Sequence, residues 1–192
     1  MRIELRFTTI NDEVLYADGP IVKLGESEID FLKQRAAANR RKRIRLCAHR
    51  DVQDPLHEMI IVLRNDSYIR PHRHVEKAES FHIVEGQVDV VIFDRAGKIT
   101  EVVQMGDYRS GHKFFYRLSV PDFHTLLIRS DYVVFHETTN GPFDSARSIY
   151  AEWAPDDADK AAVSVFTSNL AEEVRVFLHH HSPLTANGRT LR

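Results

Sequence analysis

Two histidines separated by a single residue, His72 and His74, carry the clearest chemical signal in the sequence. Residues i and i+2 of a β-strand point to the same face, so both imidazoles can reach one point inside a sheet or barrel. Five residues later, Glu79 opens the next strand-like segment and shares a face with Phe81. If Phe81 packs into a core, the Glu79 carboxylate lies beside the two imidazoles, whereas His82 falls on the opposite face. The segment therefore predicts three converging metal ligands.

A fourth ligand is expected from a strand far along the chain, and His124 opens such a strand directly after Val120-Pro121-Asp122-Phe123. Three neutral imidazoles and one carboxylate suit Fe, Mn, Co, Ni, Cu or Zn, and they are too rich in nitrogen for Ca or Mg. The predicted cofactor is one divalent transition metal (Fe, Mn, Zn, Ni or Co). Its predicted ligands are His72, His74, Glu79 and His124. The alternative is that these are unrelated surface histidines.

The four predicted ligands fall into two motifs, His72-x-His74-x4-Glu79-x6-Gly86 and Pro121-x-x-His124. The first resembles the first metal-binding motif of the cupin superfamily, and the second resembles its second motif. The resemblance implies a double-stranded β-helix, or jelly roll, with the metal inside one end of the barrel. The sequence departs from the family pattern where Asp66 replaces the opening glycine and Ile128 the closing asparagine. These departures argue against the germin-like and dioxygenase branches, while the ligands themselves are intact.

A narrower resemblance extends over roughly residues 20–155. It is carried by Arg43-x-Arg45-x3-His49, Tyr68-x2-Pro71-His72-Arg73-His74, Phe135-x-Glu137-x3-Gly141-Pro142 and Trp153-Ala154-Pro155. Together these segments are similar to the WbuC-type cupin metalloproteins, which are bacterial proteins linked with the biosynthesis of O-antigen and other surface polysaccharides. The resemblance implies a family and leaves the reaction open.

Basic residues upstream of the barrel are candidates for holding an anionic group of a substrate. Arg43 and Arg45 are two residues apart in a predicted strand, and His49 lies four residues further on. All three side chains can therefore point to the same face and line one pocket. The adjacent run from Arg40 to Lys42 has a simpler explanation, since basic residues at a helix end offset the helix dipole.

Three further side chains are candidates for catalysis or substrate binding. Glu137, in a late strand, is a candidate general base, or an acceptor that orients a ligand imidazole. Tyr68 is a candidate proton donor and Tyr108 a candidate for binding substrate, although tyrosines in a β-barrel are often simply packed. Glu137 can equally be a surface residue, and His179-His180-His181 are expected to be incidental surface histidines.

The elements that must position these residues are mostly strands. From residue 57 onward, short runs rich in β-branched and aromatic residues are separated by turn signals. The predicted strands are Met59–Leu63, Phe81–Val84, Val88–Phe93, Lys98–Val103, Phe114–Val120, Thr125–Arg129, Tyr132–His136 and Ile149–Trp153. With no helix between them, they indicate an all-β sandwich or barrel. A short helix is predicted over 27–39, with Ser27 as its N-cap.

The chain is expected to form a single domain with three parts. Residues 1–55 supply N-terminal strands and the helix packing on the barrel, residues 56–155 form the barrel, and residues 156–192 form a C-terminal extension. Short apolar runs within residues 1–25 predict edge strands. Residues 160–178 are expected to add a strand or a helix, and the tail from 182 to 192 looks loose.

Composition excludes several classes of function. The 192 residues carry a formal net charge of −2, which gives no indication of a nucleic-acid or anionic-membrane partner. The first residues lack the apolar region of a signal peptide, and no run approaches the ~18 apolar residues of a membrane span. The single cysteine, Cys47, cannot form an intramolecular disulfide and fits a reducing compartment. A cytoplasmic protein is therefore predicted.

These features favour a metalloenzyme acting on a small polar molecule such as a sugar, a sugar nucleotide or a hydroxy acid. A non-catalytic module that uses the same metal and pocket to bind a small molecule is the alternative. A metal-free epimerase, which shares the cupin barrel but uses a His–Asp pair, is a third possibility against which the intact ligands argue. Because cupins are commonly dimers, a homodimer is expected, with the terminal extensions covering open sheet edges.

Overall fold

A computed structural model describes residues 5–181 of the chain. This part contains twelve strands, two helices and a short 3-10 turn at Ser145–Arg147. In chain order the elements are β1 Phe7–Asn11, β2 Val14–Ala17, α1 Glu26–Ala38, β3 Arg43–Cys47, β4 Leu56–Arg64, β5 His72–His74, β6 Glu79–Glu85, β7 Gln87–Phe93, β8 Ile99–Gly106, β9 Phe115–Leu118, β10 Phe123–Ile128, β11 Tyr132–Asn140, β12 Ser148–Tyr150 and α2 Lys160–His181.

The strands form two sheets that face each other. The seven-stranded sheet has the order β1-β2-β3-β4-β11-β6-β9, and the five-stranded sheet has the order β12-β5-β10-β7-β8. Neighbouring strands are antiparallel except for the parallel pair β2 and β3. From β4 to β12 the chain passes repeatedly from one sheet to the other, which is the topology of a double-stranded β-helix. The predicted fold class is confirmed.

The space between the sheets is filled by side chains from both of them. Along each strand every second residue points inward, so that Phe81 and Ile83 of β6 are buried while His82 between them is exposed. The inward set packs as one cluster of Leu63, Phe81, Ile83, Val88, Val90, Ile92, Met105, Tyr116, Leu118, Leu126, Ile128, Val133 and Phe135. This cluster leaves free the end of the barrel where β6 and β10 begin.

Helix α1 covers the outer face of the seven-stranded sheet. Its Leu32 and Ala36 pack with residues of β2, β3 and β4. The helix begins one residue before the predicted position, and its N-cap is Gly25 instead of Ser27. Glu28 explains the difference, because its carboxylate accepts hydrogen bonds from the Gly25 N–H at 3.0 Å and from the Ser27 hydroxyl at 2.9 Å.

Helix α2 covers the outer face of the five-stranded sheet, where Leu170 and Val174 pack against Val91, Phe93 and Leu127. The C-terminal extension is therefore helical where a strand or a helix was expected. It lies on a sheet face, whereas a position at a sheet edge was expected. The helices of the described residues include none that is long and apolar enough to cross a membrane. The predicted loose tail, 182–192, lies outside the described residues.

The N-terminal strands extend the seven-stranded sheet, in which β1 is the outermost strand. This agrees with the expectation of edge strands within residues 1–25, although the apolar run from Ile21 to Leu24 forms no strand. Ile21 is 74% exposed, because the chain there leaves the sheet to begin α1.

Candidate metal centre

The two sheets contribute different ligand types to the free end of the barrel. His72 and His74 lie in β5, and His124 at the start of β10 is paired directly opposite His72. The five-stranded sheet therefore supplies three imidazoles. Glu79 is the first residue of β6 in the facing sheet, and it lies on the inward side with Phe81. The sequence-predicted ligands thus meet across the barrel interior.

The four side chains are close together and mostly buried. The His72 and His74 rings lie 4.6 and 5.6 Å from the His124 ring, and one nitrogen of each histidine lies within 4.8 Å of those of the other two. In Glu79, Oε1 is 2.8 Å from Nε2 of His124, and Oε2 is 3.3 Å from Nε2 of His74. His124 and Glu79 are almost fully buried, and the other two histidines are half-buried.

Neighbouring groups orient each imidazole through its other nitrogen. The partners of the Nδ1 atoms are the Arg70 carbonyl for His72 (2.9 Å), the Asp122 carbonyl for His124 (3.1 Å) and the Ser148 hydroxyl for His74 (3.1 Å). A carbonyl oxygen only accepts, so Nδ1 of His72 and of His124 carries the proton. Their Nε2 lone pairs are then free to bind a metal, which is the usual arrangement of metal-binding histidines.

A buried oxygen without a hydrogen-bond partner shows that these residues fit a cation. Oε1 of Glu79 is sealed from solvent, and although Nε2 of His124 is 2.8 Å away, the contact is not aligned as a hydrogen bond. With Nε2 unprotonated, as metal binding requires, the carboxylate oxygen and this nitrogen repel each other through their lone pairs at this distance. A positive ion that both atoms face removes that repulsion. Three imidazoles and one carboxylate form a donor set suited to a divalent transition metal.

The electrostatics of the centre favour a neutral His72 and an ionised Glu79, and they favour a proton on His124 where no metal is bound. Burial lowers the pKa of His72 to about 3, and His124 acts in the same direction, so His72 is neutral at pH 7. Burial acts to raise the pKa of Glu79, but His124 and His74 outweigh it and hold this pKa far below its usual range. Burial acts to lower the pKa of His124, and Glu79 more than reverses the effect. Metal binding requires an ionised carboxylate and neutral imidazoles, so a bound metal would displace the proton that Glu79 favours on His124.

The centre opens into a cavity of about 1160 Å³, and Glu137 also lines this cavity. Glu137 lies on the inward face of β11 next to Phe81 in register, and Thr139, two residues further on, is paired with Glu79. Glu137 and Glu79 are therefore diagonal neighbours, about 7–8 Å apart at the backbone. Burial and the charge of Glu79 raise the pKa of Glu137 to about 7, while Arg45, Lys77 and His124 oppose the shift.

The three basic candidates upstream of the barrel all line this cavity, but they are not equivalent. Arg43 donates from Nε to Glu13 at 2.9 Å. His49 accepts at Nδ1 from the Glu58 N–H at 3.2 Å, and its ring is stacked on His57 at 4.0 Å. Arg45 has no ion-pair partner among the described residues. Of the three, Arg45 is the side chain left available to a ligand.

The two candidate tyrosines lie outside the cavity, contrary to prediction. The Tyr68 hydroxyl donates to the Pro155 carbonyl at 3.0 Å, and its ring packs edge-on against Phe166 of α2. Burial raises the Tyr68 pKa above its usual range, so the hydroxyl stays protonated. Tyr108 is 79% exposed in the loop between β8 and β9, where it contacts Phe114. Tyr68 fastens the barrel to the C-terminal extension, and Tyr108 is a surface residue.

Two polar residues of the site were not among the predicted site residues. Lys77 lines the cavity from the loop between β5 and β6, and its position in the spacer between His74 and Glu79 was an available signal. Ser148 of β12 orients His74, from which it is 74 residues distant in sequence. No local pattern marks such a partner, because only the pairing of β12 with β5 brings it close.

Two other features have no part in the centre. Cys47 is buried in the cavity wall, and burial raises its pKa to about 11, so it is not a thiolate at neutral pH. His179, His180 and His181 are exposed at the end of α2, as expected of incidental surface histidines. Within residues 5–181, the group of histidine, cysteine and acidic side chains close enough to hold a metal is His72, His74 and His124.

One protein-family model matches part of this chain. Residues 24–105 match the model described as "Domain of unknown function (DUF6016)". The matched part begins just before α1 and ends in β8, so it contains Arg45, Lys77 and three of the predicted ligands, but not His124 or Glu137. No protein with a curated description matches the sequence.

Several solved structures are similar in fold. A cupin-2 domain protein from Rhodospirillum rubrum has a TM-score of 0.45 at 13% identity, over 69% of this chain and 79% of that one. A protein from Shewanella oneidensis has a TM-score of 0.44 at 13% identity, over 54% of this chain and 66% of that one, just under two thirds of its length. An RmlC-like cupin with a double-stranded β-helix fold from Methanocaldococcus jannaschii has a TM-score of 0.37 at 13% identity, over 46% and 72%. These likenesses carry no information about the reaction of this chain.

Proposed function

We propose that this protein is a cupin metalloenzyme that binds one divalent transition metal (Fe, Mn, Zn, Ni or Co) and acts on a small polar substrate. The convergence of three imidazole nitrogens beside Glu79, whose Oε1 is buried and unpartnered, carries the proposal. The metal ligands are His72, His74, Glu79 and His124. A metal held by these residues would supply a Lewis acid to the substrate.

Glu137 supports an enzyme over a passive binding module. Its carboxyl group lies on the cavity wall diagonal to Glu79, within reach of a molecule that occupies the centre. Burial and Glu79 raise its pKa to about 7, so near neutral pH it can both accept and return a proton. A general acid–base at this place moves protons to and from the substrate. A binding module has no need of such a group.

The walls of the cavity support a small substrate with both polar and apolar faces. Phe81, Leu126 and Phe135 form an apolar floor beside the centre, and this floor excludes water from one side of a bound molecule. The rest of the cavity lining includes polar and charged side chains. The volume, about 1160 Å³, accommodates a sugar, a sugar nucleotide or a hydroxy acid.

The motif resemblance to WbuC-type proteins supports a place in surface-polysaccharide biosynthesis. As part of the same proposal, the protein acts in the cytoplasm as a homodimer. Both statements rest on the sequence motifs and on the behaviour of cupins in general. Measurement of the mass in solution tests the dimer directly.

Elemental analysis of protein purified without an affinity tag tests the metal. Wild-type protein is expected to carry about one equivalent of a transition metal, and the His74→Ala variant should carry almost none. His82→Ala is the matched control, because His82 is exposed on the other face of β6 and the variant should retain the metal. A wild type that neither contains nor takes up a transition metal contradicts the proposal.

Turnover separates the enzyme from the binding module. For any molecule that stabilises the metal-loaded protein in a saturable manner, wild type should form product, and Glu137→Gln should bind the same molecule with little or no product. Saturable binding without product after long incubation of the wild type identifies the non-catalytic module instead.

A further inference from the structure

Half of the six arginine and lysine side chains around the cavity are already neutralised by carboxylates, and Arg50 is exposed to solvent. Three arginines of the wall each have an acidic partner: Arg41 with Asp157 at 2.6 Å, Arg43 with Glu13 at 2.9 Å and Arg70 with Asp156 at 2.9 Å. Such pairs hold the segments around the cavity mouth together. They have little charge left to offer to a ligand.

Arg45 and Lys77 differ from these three arginines. Within residues 5–181, neither side chain has a carboxylate within 4.0 Å, and neither has a nitrogen sealed from solvent. Arg45 points inward from β3, because Ile44 and Leu46 on either side of it pack outward beneath α1. Lys77 lines the same cavity from the loop that leads to Glu79, and its ammonium lies 5.9 Å from the centre of the Phe143 ring. Both positive groups therefore face the cavity.

We propose that Arg45 and Lys77 bind the anionic group of the substrate while other oxygens of the same molecule face the histidine centre. The substrate class is then a small, oxygen-rich anion, in which a carboxylate or phosphate is attached to a hydroxylated chain or ring. This inference rests on the proposed function, and it narrows the substrate to a charged molecule.

The sheet geometry gives the size of such a substrate. Arg45 on β3 and Glu79 on β6 are separated by β4 and β11. Arg45 is level with Ile61 of β4, whereas Glu79 is level with His57, four residues away along the same strand. Three strand spacings of about 4.8 Å and this offset of about 13 Å would place the two backbones about 20 Å apart in a flat sheet. Both side chains extend inward and the sheet is curved, so the gap between the guanidinium and the carboxylate is shorter, and an extended molecule such as a sugar phosphate can span it.

The charge balance of the cavity points in the same direction. Six arginine and lysine side chains and seven aspartate and glutamate side chains line the cavity, so a divalent ion at the centre would leave it with a net charge of +1. An anionic ligand corrects this excess, and in a cavity with a low local dielectric the attraction is stronger than in water. The planar guanidinium of Arg45 can donate two parallel hydrogen bonds to a carboxylate or phosphate.

Calorimetric titration of Mn²⁺-loaded protein with three molecules of one carbon skeleton tests this proposal. Gluconate carries a carboxylate, glucose 6-phosphate carries a phosphate, and glucose carries no charge. We expect at least one anion to bind about tenfold or more tightly than glucose, as two charge-assisted hydrogen bonds allow. The anion that binds distinguishes an organic acid from a sugar phosphate.

Three variants assign the preference to residues. Arg45→Gln should weaken anion binding about tenfold and leave glucose unaffected, and Lys77→Met should have a smaller effect in the same direction. Arg43→Gln is the matched control, because Arg43 lies on the same face of β3 as Arg45 but is paired with Glu13. This variant should bind the anion with the affinity of wild type. Metal content measured on each sample shows that the centre is intact.

Equal affinity for charged and uncharged molecules would overturn the proposal, and so would the absence of binding by either anion. An equal loss of anion affinity in Arg43→Gln and in Arg45→Gln would overturn it as well. Failure of the proposed function is distinguishable, because it appears as absence of metal from the wild type. Titration of the metal-free protein then shows separately whether Arg45 still confers a preference for the anion.

Discussion

Two groups of buried histidines line the same cavity, and they are built differently. His72, His74 and His124 come from two adjacent strands, and their rings are tilted so that one nitrogen of each faces a common point. His49 and His57 instead stack face to face, with ring centres 4.0 Å apart and planes only 5° from parallel. Stacked rings direct their nitrogens sideways, so the pair does not converge on an ion.

The surroundings of the two groups differ in charge. Glu79 lies against the first group, and it accounts for the raised pKa of His124. No carboxylate lies within ion-pair distance of the stacked pair in the described residues, and burial lowers the pKa of His57. The comparison teaches that burial and histidine content do not define a metal site. Ring direction and a neighbouring carboxylate do.

The largest expected effect separates the two groups directly. His124→Ala removes an Nε2 ligand from the centre, so metal affinity should fall by more than the 10- to 100-fold loss that is typical of outer residues. His57→Ala should leave metal content near that of wild type. Titration of the metal-free proteins with Mn²⁺ or Zn²⁺ measures both. Loss of metal in His57→Ala would show that the stacked pair belongs to the centre after all.

The carboxylate is the second feature to test. Glu79→Gln keeps the size of the side chain and removes its charge, so metal affinity should drop by roughly two orders of magnitude, because an anionic ligand is replaced by a neutral one. Glu137→Gln is the control and should change metal affinity much less. Equal losses in the two variants would place Glu137 among the ligands.

A smaller effect is expected from the hydroxyl that orients His74. Ser148→Ala removes the partner of Nδ1 at 3.1 Å, and metal affinity should fall about tenfold, as for other partners of ligating imidazoles. Ser145→Ala, in the preceding turn, is the control. An unchanged affinity in Ser148→Ala would mean that packing alone orients the His74 ring.

Acid–base behaviour should distinguish the regions in metal-free protein. Glu137 has an ordinary pKa of 4.5, and in the folded state it is raised to about 7. As pH rises from 4.5 through 7 the unfolded chain loses its proton first, so stability falls and the full cost is present above pH 7. Glu137→Gln should therefore gain stability relative to wild type at pH 8.5 and gain less at pH 5.5, as measured by urea unfolding. A difference independent of pH contradicts the raised pKa.

His57 of the stacked pair should make the stability of the fold depend on pH in the opposite direction, and this effect should be the smallest. The pKa of His57 is lowered from 6.5 by burial, with His49 acting in the same direction. As pH falls below 6.5 the unfolded state takes up a proton that the folded state resists, so stability decreases. His57→Phe keeps a ring for stacking and removes the titration, so its stability should fall less than that of wild type between pH 7.5 and 5.5. A parallel decline of the two proteins would rule out this contribution.

Much of the barrel follows from local patterns. Alternation along β6 correctly predicted that Phe81 and Ile83 are buried and His82 is exposed, because side chains in any strand alternate between faces. The pattern was less informative for residues 160–178. Helix α2 buries few residues along its 22-residue length, so its apolar positions do not distinguish a helix from a strand.

The site was predictable to the extent that it depends on short motifs. The cupin-like spacing indicated the three histidines and Glu79, and the strands bring those side chains together. The tyrosines show the limit of such reasoning. Tyr68 stands next to the first motif, yet its hydroxyl is held by Pro155, which is 87 residues further along the chain.

The sequence by itself determined which residues face the barrel interior and which types of ligand meet there, because side-chain parity in a strand is a local property. Only the tertiary structure decided which charges are available. Arg43 and Arg45 have identical parity and chemistry, and they differ because Glu13, 30 residues earlier in the chain, reaches Arg43. Ion pairs between distant segments depend on how the sheets assemble, and no local pattern encodes them.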